Sequence, residues 1–83
     1  MNILEMKNGQ WARISRLVGD SWLCLRLMEL GFTEGEYLRR FAASPFNNPV
    51  VVNIRGSSYA LRSQEAMCIE VEPVDPAPAA QGQ

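Results

Sequence analysis

The stretch Val50-Val51-Val52-Asn53-Ile54-Arg55-Gly56-Ser57-Ser58-Tyr59-Ala60-Leu61 decides the fold. Val50, Val52 and Ile54 share one side of an extended chain, and Val51, Asn53 and Arg55 share the other. Strict alternation of this kind reads as a half-buried β-strand, because successive side chains point to opposite faces. Gly56-Ser57 predicts a close turn into a second strand, Ser58 to Leu61. A β-hairpin with one apolar face needs further strands to close over it.

Those strands lie on both sides in the sequence. Upstream, Glu36 to Ala43 reads as a strand, followed by the turn-rich segment Ser44-Pro45-Phe46-Asn47-Asn48-Pro49. Gln10 to Val18 alternates as well, with Ala12, Ile14 and Val18 on one face and Arg13 and Ser15 on the other. Between these two strands, Gly19-Asp20-Ser21 offers an N-cap oxygen, and Ser21 to Leu30 places Leu23, Leu27 and Leu30 at helical spacing. The spacing predicts a short helix covering the core, stopped by Gly31 in the left-handed conformation. Thr33-Glu34-Gly35 reads as a tight turn that needs positive φ at Gly35. Downstream, Ser63 to Ala66 suits a helical turn capped by Ser63, and Met67 to Glu72 a last strand with Ile69 and Val71 inward. Five short strands with one helix between the first and second predict a mainly β protein, a small, strongly bent barrel.

One residue resists this pattern. Alternation with Leu38 inward puts Arg40 inward too, and a buried guanidinium needs a partner. Either a bulge re-aims Arg40, or its stem packs along the barrel and its head reaches an acid at the rim.

The chain has 83 residues, enough for one small domain. The expected organisation is a lead-in over 1–6, the folded domain over 7–72, and a flexible tail over 73–83 that holds three of the five prolines. The tail carries a PxxP pattern, Pro73 to Pro76. No apolar run is long enough to cross a membrane, and Glu5 interrupts the start where a signal peptide is apolar. A cytoplasmic protein is expected.

Histidine is absent. That excludes the Ser-His-Asp and Cys-His nucleophile pairs and imidazole metal sites. Cys24 and Cys68 stand in apolar runs without CxxC spacing, and read as two small buried hydrophobes. Glu70 and Glu72 share one strand face, a spacing that suits either an acid/base pair or an ordinary solvent-facing edge. The net charge of −1 hides a division, with eight bases and four acids between Lys7 and Arg62 and the other five acids outside that span. Seven of the bases are arginine, interleaved with Trp11, Trp22, Tyr37, Phe41, Phe46 and Tyr59. Such interleaving is one way to stack bases in a cationic groove, although the charge is too small for strong phosphate attraction. The composition points to a binding module and away from an enzyme.

Three segments resemble one family. Arg26-Leu27-Met28-Glu29-Leu30-Gly31-Phe32-Thr33-Glu34-Gly35 resembles the R-L-x-x-[LM]-G-[LF]-T-P-G segment of FeoA, the ferrous iron transport protein A family. Ser44 to Gly56 is similar to its A-P-x-G-D-P-[IV]-x-[IV]-x-[IV]-R-G stretch, and Ala60-Leu61-Arg62-Ser63-Gln64-Glu65-Ala66 with Ile69-Glu70-Val71 to A-L-R-x-x-E-A…I-E-V. The match runs from Gly9 to Val71 without a gap. Glu34 replaces the usual proline, Asn47-Asn48 replaces Gly-Asp, and Arg40 replaces an apolar residue.

The resemblance implies an SH3-like barrel with a helical insertion. It also implies a non-enzymatic adaptor of ferrous iron uptake that contacts the cytosolic GTP-binding region of the FeoB transporter and is recruited by it to the inner membrane face. The same barrel forms the C-terminal module of iron-dependent repressors, so fold alone does not choose a function. On this reading Leu25, Arg26, Met28 and Phe32 stand near the contact, with Tyr37, Arg39 and Phe46 as rim candidates, while Gly31, Gly35 and Gly56 serve the turns. No cofactor and no dedicated metal site are expected, and any metal role falls to carboxylates or thiols. A small nucleic-acid-binding barrel and a free-standing dimerisation module are the alternative readings.

Overall fold

A computed structural model describes residues 1–43 and 45–74. The strands are β1 (Trp11–Leu17), β2 (Tyr37–Ala43), β3 (Val50–Ile54), β4 (Ser57–Leu61) and β5 (Ile69–Val74). They form one antiparallel sheet in the order β4-β3-β2-β1-β5. Helix α1 (Ser21–Leu30) lies between β1 and β2, and the short α2 (Ser63–Ala66) carries the chain from one edge strand, β4, to the other, β5.

Every strand sends residues into a single core: Ala12 and Ile14, Leu38, Val50, Val52 and Ile54, Leu61, and Ile69 and Val71. In a flat sheet β4 and β5 would stand about 19 Å apart, too far to share side-chain contacts. The sheet must therefore curl, as the five-strand pattern requires.

The β3–β4 hairpin turns through Arg55 (φ 53) and Gly56 (φ 84), one residue earlier than Gly56-Ser57. Two successive positive-φ residues make the turn whose twist matches that of the strands. Val50 then stands opposite Leu61, and both are buried.

Two bulges correct the simple alternation. In β1 the register slips between Ile14 and Arg16, so Leu17 packs against the core and Arg16 stays exposed. Val18, expected inward, falls beyond the strand and is half-buried. In β2 the slip lies between Arg40 and Ala42, leaving Phe41 outside.

Arg40 itself remains inward and is only 7% exposed. Its Nη1 donates to the carbonyls of Met6 (2.6 Å), Leu4 (3.1 Å) and Ile3 (3.4 Å), and its Nε to Asn8 Oδ1 (3.0 Å). These partners are uncharged oxygens on the N-terminal segment, where an acid at the rim was anticipated. Burial lowers the Arg40 pKa, and the guanidinium keeps its charge.

The segment held by Arg40 is no mere lead-in. Ile3–Glu5 forms a 3-10 turn capped by Asn2, whose Oδ1 accepts from Leu4 N (2.9 Å). Ile3 and Met6 are buried in the core at 0% and 3% exposure. The folded unit therefore begins at the first residues. It also runs past 72, because Pro73 and Val74 belong to β5. The expected tail from 75 onward, with the end of the PxxP pattern, lies outside the described residues.

Helix α1 matches the predicted bounds. Asp20 Oδ1 accepts from Trp22 N (2.8 Å) and Leu23 N (3.3 Å). Gly31 closes the helix at φ 114, with Gly31 N–H donating to Met28 O (3.0 Å) and Phe32 N–H to Leu27 O (3.0 Å). That pair of bonds is a Schellman motif. Gly35, at φ 91, occupies the turn in which Glu36 N–H meets Thr33 O (3.1 Å). In α2 the N-cap is Arg62, whose N–H donates to Oε1 of Glu65 (2.8 Å), and Ser63 is the first helical residue.

Candidate functional surface

Seven of the ten α1 residues are apolar, more than a half-buried helix uses. Only Leu27 is fully buried, and Leu23 is half-buried against the core. The expected stripe fails at Leu30, which is 43% exposed. With the helix hung on Leu27, Trp22 (68% exposed) and Leu25 (55%) point to solvent, and Met28 (43%) flanks them. The Arg26 guanidinium lies 5.9 Å from the Trp22 ring centroid, a cation–π contact at the border of this patch. Trp22, Leu25, Arg26 and Glu29 line one shallow depression.

The predicted contact residues therefore separate. Leu25, Arg26 and Met28 share the exposed helix. Phe32 does not join them: it is fully buried and meets Tyr59 edge to face, with centroids 5.3 Å apart. Its role is to fix the end of α1 against β4, since the chain after Gly31 turns inward. Tyr37 and Arg39 lie on the outer face of β2, opposite Arg13 and Trp11 of β1. That face points away from the core that α1 covers. Tyr37 is half-buried, and Arg39 Nε donates to Gly9 O (3.3 Å). Phe46 is 97% exposed, in the segment after β2.

Trp22 and Leu30 belong to the helix patch and were not among the predicted contacts. The signal was present, since a ten-residue helix with apolar residues all around cannot bury them on one small sheet. A second depression continues from the end of α1 to the β3–β4 hairpin, lined by Leu30, Gly31, Ile54, Arg55, Ser57 and Tyr59. Arg55 pairs with Glu36 beside it.

Both carboxylates of β5 and the Cys68 thiol have structural partners. Glu72 pairs with Arg13 (3.5 Å), and Glu70 faces the N-terminal ammonium (3.8 Å). Cys68 is buried and donates from Sγ to Gln64 O (3.2 Å), whereas Cys24 is half-buried rather than enclosed. Burial, followed by the neighbouring Cys24, Asp20 and Glu65, pushes the Cys68 thiol up and keeps it protonated. Among the described residues, no group of three or more Cys, Asp or Glu side chains could hold a metal ion. The surface can bind a partner through apolar contact flanked by arginines.

Comparison with known proteins agrees with this architecture. A putative Fe(2+) transport protein A of Campylobacter jejuni is 37% identical over 71 residues, covering 86% of this chain and 96% of that protein. A fusion protein of Porphyromonas gingivalis, Fe(2+) transport protein A/Fe(2+) transporter FeoB, is 32% identical over 72 residues. That match covers 87% of this chain, which spans only 8% of the fusion protein's length. The crystal structure of Stenotrophomonas maltophilia FeoA complexed with zinc, described as a prokaryotic SH3 domain protein, superposes with a TM-score of 0.76 at 29% identity. It covers 87% of this chain and 89% of its own. The model of the FeoA domain matches residues 1–73, from the buried N-terminal turn to the last strand, and the chain belongs to the FeoA family.

Proposed function

We propose that this chain is a non-enzymatic adaptor of ferrous iron transport, acting at the cytoplasmic side of the membrane on the GTP-binding region of a FeoB-type transporter. The observation that carries the reading is the exposed apolar face of α1, Trp22, Leu25 and Met28. A large aromatic and two aliphatic side chains in solvent on a rigid helix are the composition of an interface centre, and Arg26 suits its rim. The fusion of the two proteins in Porphyromonas gingivalis supports the choice of partner, because one chain there carries both. No helix among the described residues is long and apolar enough to cross a membrane. Membrane association would therefore come through the transporter.

Calorimetric titration against the transporter's soluble GTP-binding region tests the reading. The unaltered chain should bind, and Leu25→Glu should weaken binding by about tenfold or more, since a charge would enter a desolvated contact. Absence of binding at high micromolar concentration overturns the adaptor role.

A further inference from the structure

Strand β4 ends the sheet and pairs only with β3 among the described residues. The two-residue turn makes Ile54/Ser57, Val52/Tyr59 and Val50/Leu61 the hydrogen-bonded pairs of the hairpin. Ser58 and Ala60 therefore turn their N–H and C=O groups away from β3, and both residues are exposed. Outside the β3–β4 ladder, no backbone bond among the described residues reaches residues 57–61.

Exposed sheet edges are ordinarily blunted by lysine, proline or a bulge. Ser57-Ser58-Tyr59-Ala60-Leu61 has no charge and no proline, and its register with β3 is unbroken. Such an edge is a template for one more strand.

The flanking charges select the occupant. Arg62 follows the strand, is exposed, and makes no ion pair among the described residues. Beside it lies a shallow depression lined by Asn48, Pro49, Ala60 and Arg62. A second copy pairing about a two-fold axis can match Ser58 with Ala60 of the other copy, the register that uses all four outward backbone groups on each strand. It would then set Arg62 opposite Gly56, next to Arg55 of the other copy, at both ends of the contact. Two guanidinium groups brought together at each end, with only Glu36 beside Arg55 to offset them, disfavour self-pairing in that register. An extended segment with a carboxylate opposite Arg62 meets no such opposition. The depression between Leu30 and Tyr59 joins this edge to the end of α1, making the two one continuous surface.

We propose that β4 receives an extended, acidic segment of the partner as an added strand, Ser58 and Ala60 supplying the backbone bonds and Arg62 the charge. The proposal rests on the reading of α1 as the transporter contact. The test uses the full chain and the transporter's soluble GTP-binding region. Hydrogen exchange at the Ser58 and Ala60 amides should slow by about tenfold or more in the complex. Ala60→Pro removes only an outward N–H and is compatible with an edge position. It should retain the native amide spectrum and lose about tenfold in affinity, and Arg62→Glu should weaken binding and reduce its salt dependence. If the unaltered chain does not bind, both proposals fall. Binding that leaves the two amides unprotected and is unchanged in Ala60→Pro overturns the added strand alone. A dimer in sedimentation that Ala60→Pro dissociates overturns the acidic occupant in favour of a second copy.

Discussion

The two edges of this sheet are finished in opposite ways. Along β5, the N-terminal residues add a short extra pairing: Val71 N–H donates to Met1 O (2.7 Å), and Asn2 bridges Glu70. The same strand carries Glu70 and Glu72 and ends in Pro73 and Val74. Along β4 no other described segment adds a strap, and the strand holds no proline and no charge. The sealed edge is also the one the core depends on, because the strap brings Ile3 and Met6 inside and Arg40 ties down its carbonyls. A small protein gains stability by closing one edge into its core and can leave the other available for contact.

The largest effect should come from breaking the sealed side. Removing residues 1–6 takes Ile3 and Met6 from the core, a loss of about 3–6 kcal/mol from two buried side chains. It also bares β5. Urea unfolding should show the lost stability, and sedimentation should show more self-association than the full chain has. An unchanged midpoint would mean that the strap contributes nothing.

Arg40→Ala is the narrower version. It leaves the carbonyls of Ile3, Leu4 and Met6 without their donor and opens space beneath the strap, at about 2–4 kcal/mol. Hydrogen exchange at Val71 should quicken more than at Val52, as the strap frays before the sheet. Arg40→Met keeps much of the stem volume and should recover only part of the loss. Full recovery by methionine would make packing the whole role of Arg40.

The smallest effect concerns Cys68, at the junction of α2 and β5. Burial raises its pKa in the folded state, so the folded chain holds the proton more tightly than the unfolded one. The corresponding stability is fully present below about pH 8.5 and is lost as pH rises through the raised folded value. Stability should decline in that alkaline window, and Cys68→Ala should flatten the decline. The same slope in both chains would assign it to other groups.

Much of this was legible locally. The bounds of α1 follow from Asp20 and Gly31, because caps and stops act within one turn of chain. The inward set Val50, Val52 and Ile54 follows from alternation on an unbulged strand. The candidate surface was legible only in part. Leu25 and Met28 stand on the exposed helix, but Phe32 reads identically and lies buried against Tyr59. Adjacent apolar residues cannot be sorted into core and interface without knowing which one the tertiary contact claims. The inward Arg40 marked an oddity in the strand, while its partners lie over 30 residues away in sequence, on a segment whose few apolar residues have no periodicity to read.

Short-range chemistry thus determined the elements, their turns and the class of sheet, since hydrogen-bond period, cap geometry and positive φ depend on a few neighbouring residues. Tertiary structure decided which side of α1 faces solvent, that Ile3 and Met6 of the first six residues belong to the core, and which sheet edge is sealed. Those outcomes depend on closure of the curled sheet, which gives each apolar side chain either a place in one small core or a place on the surface.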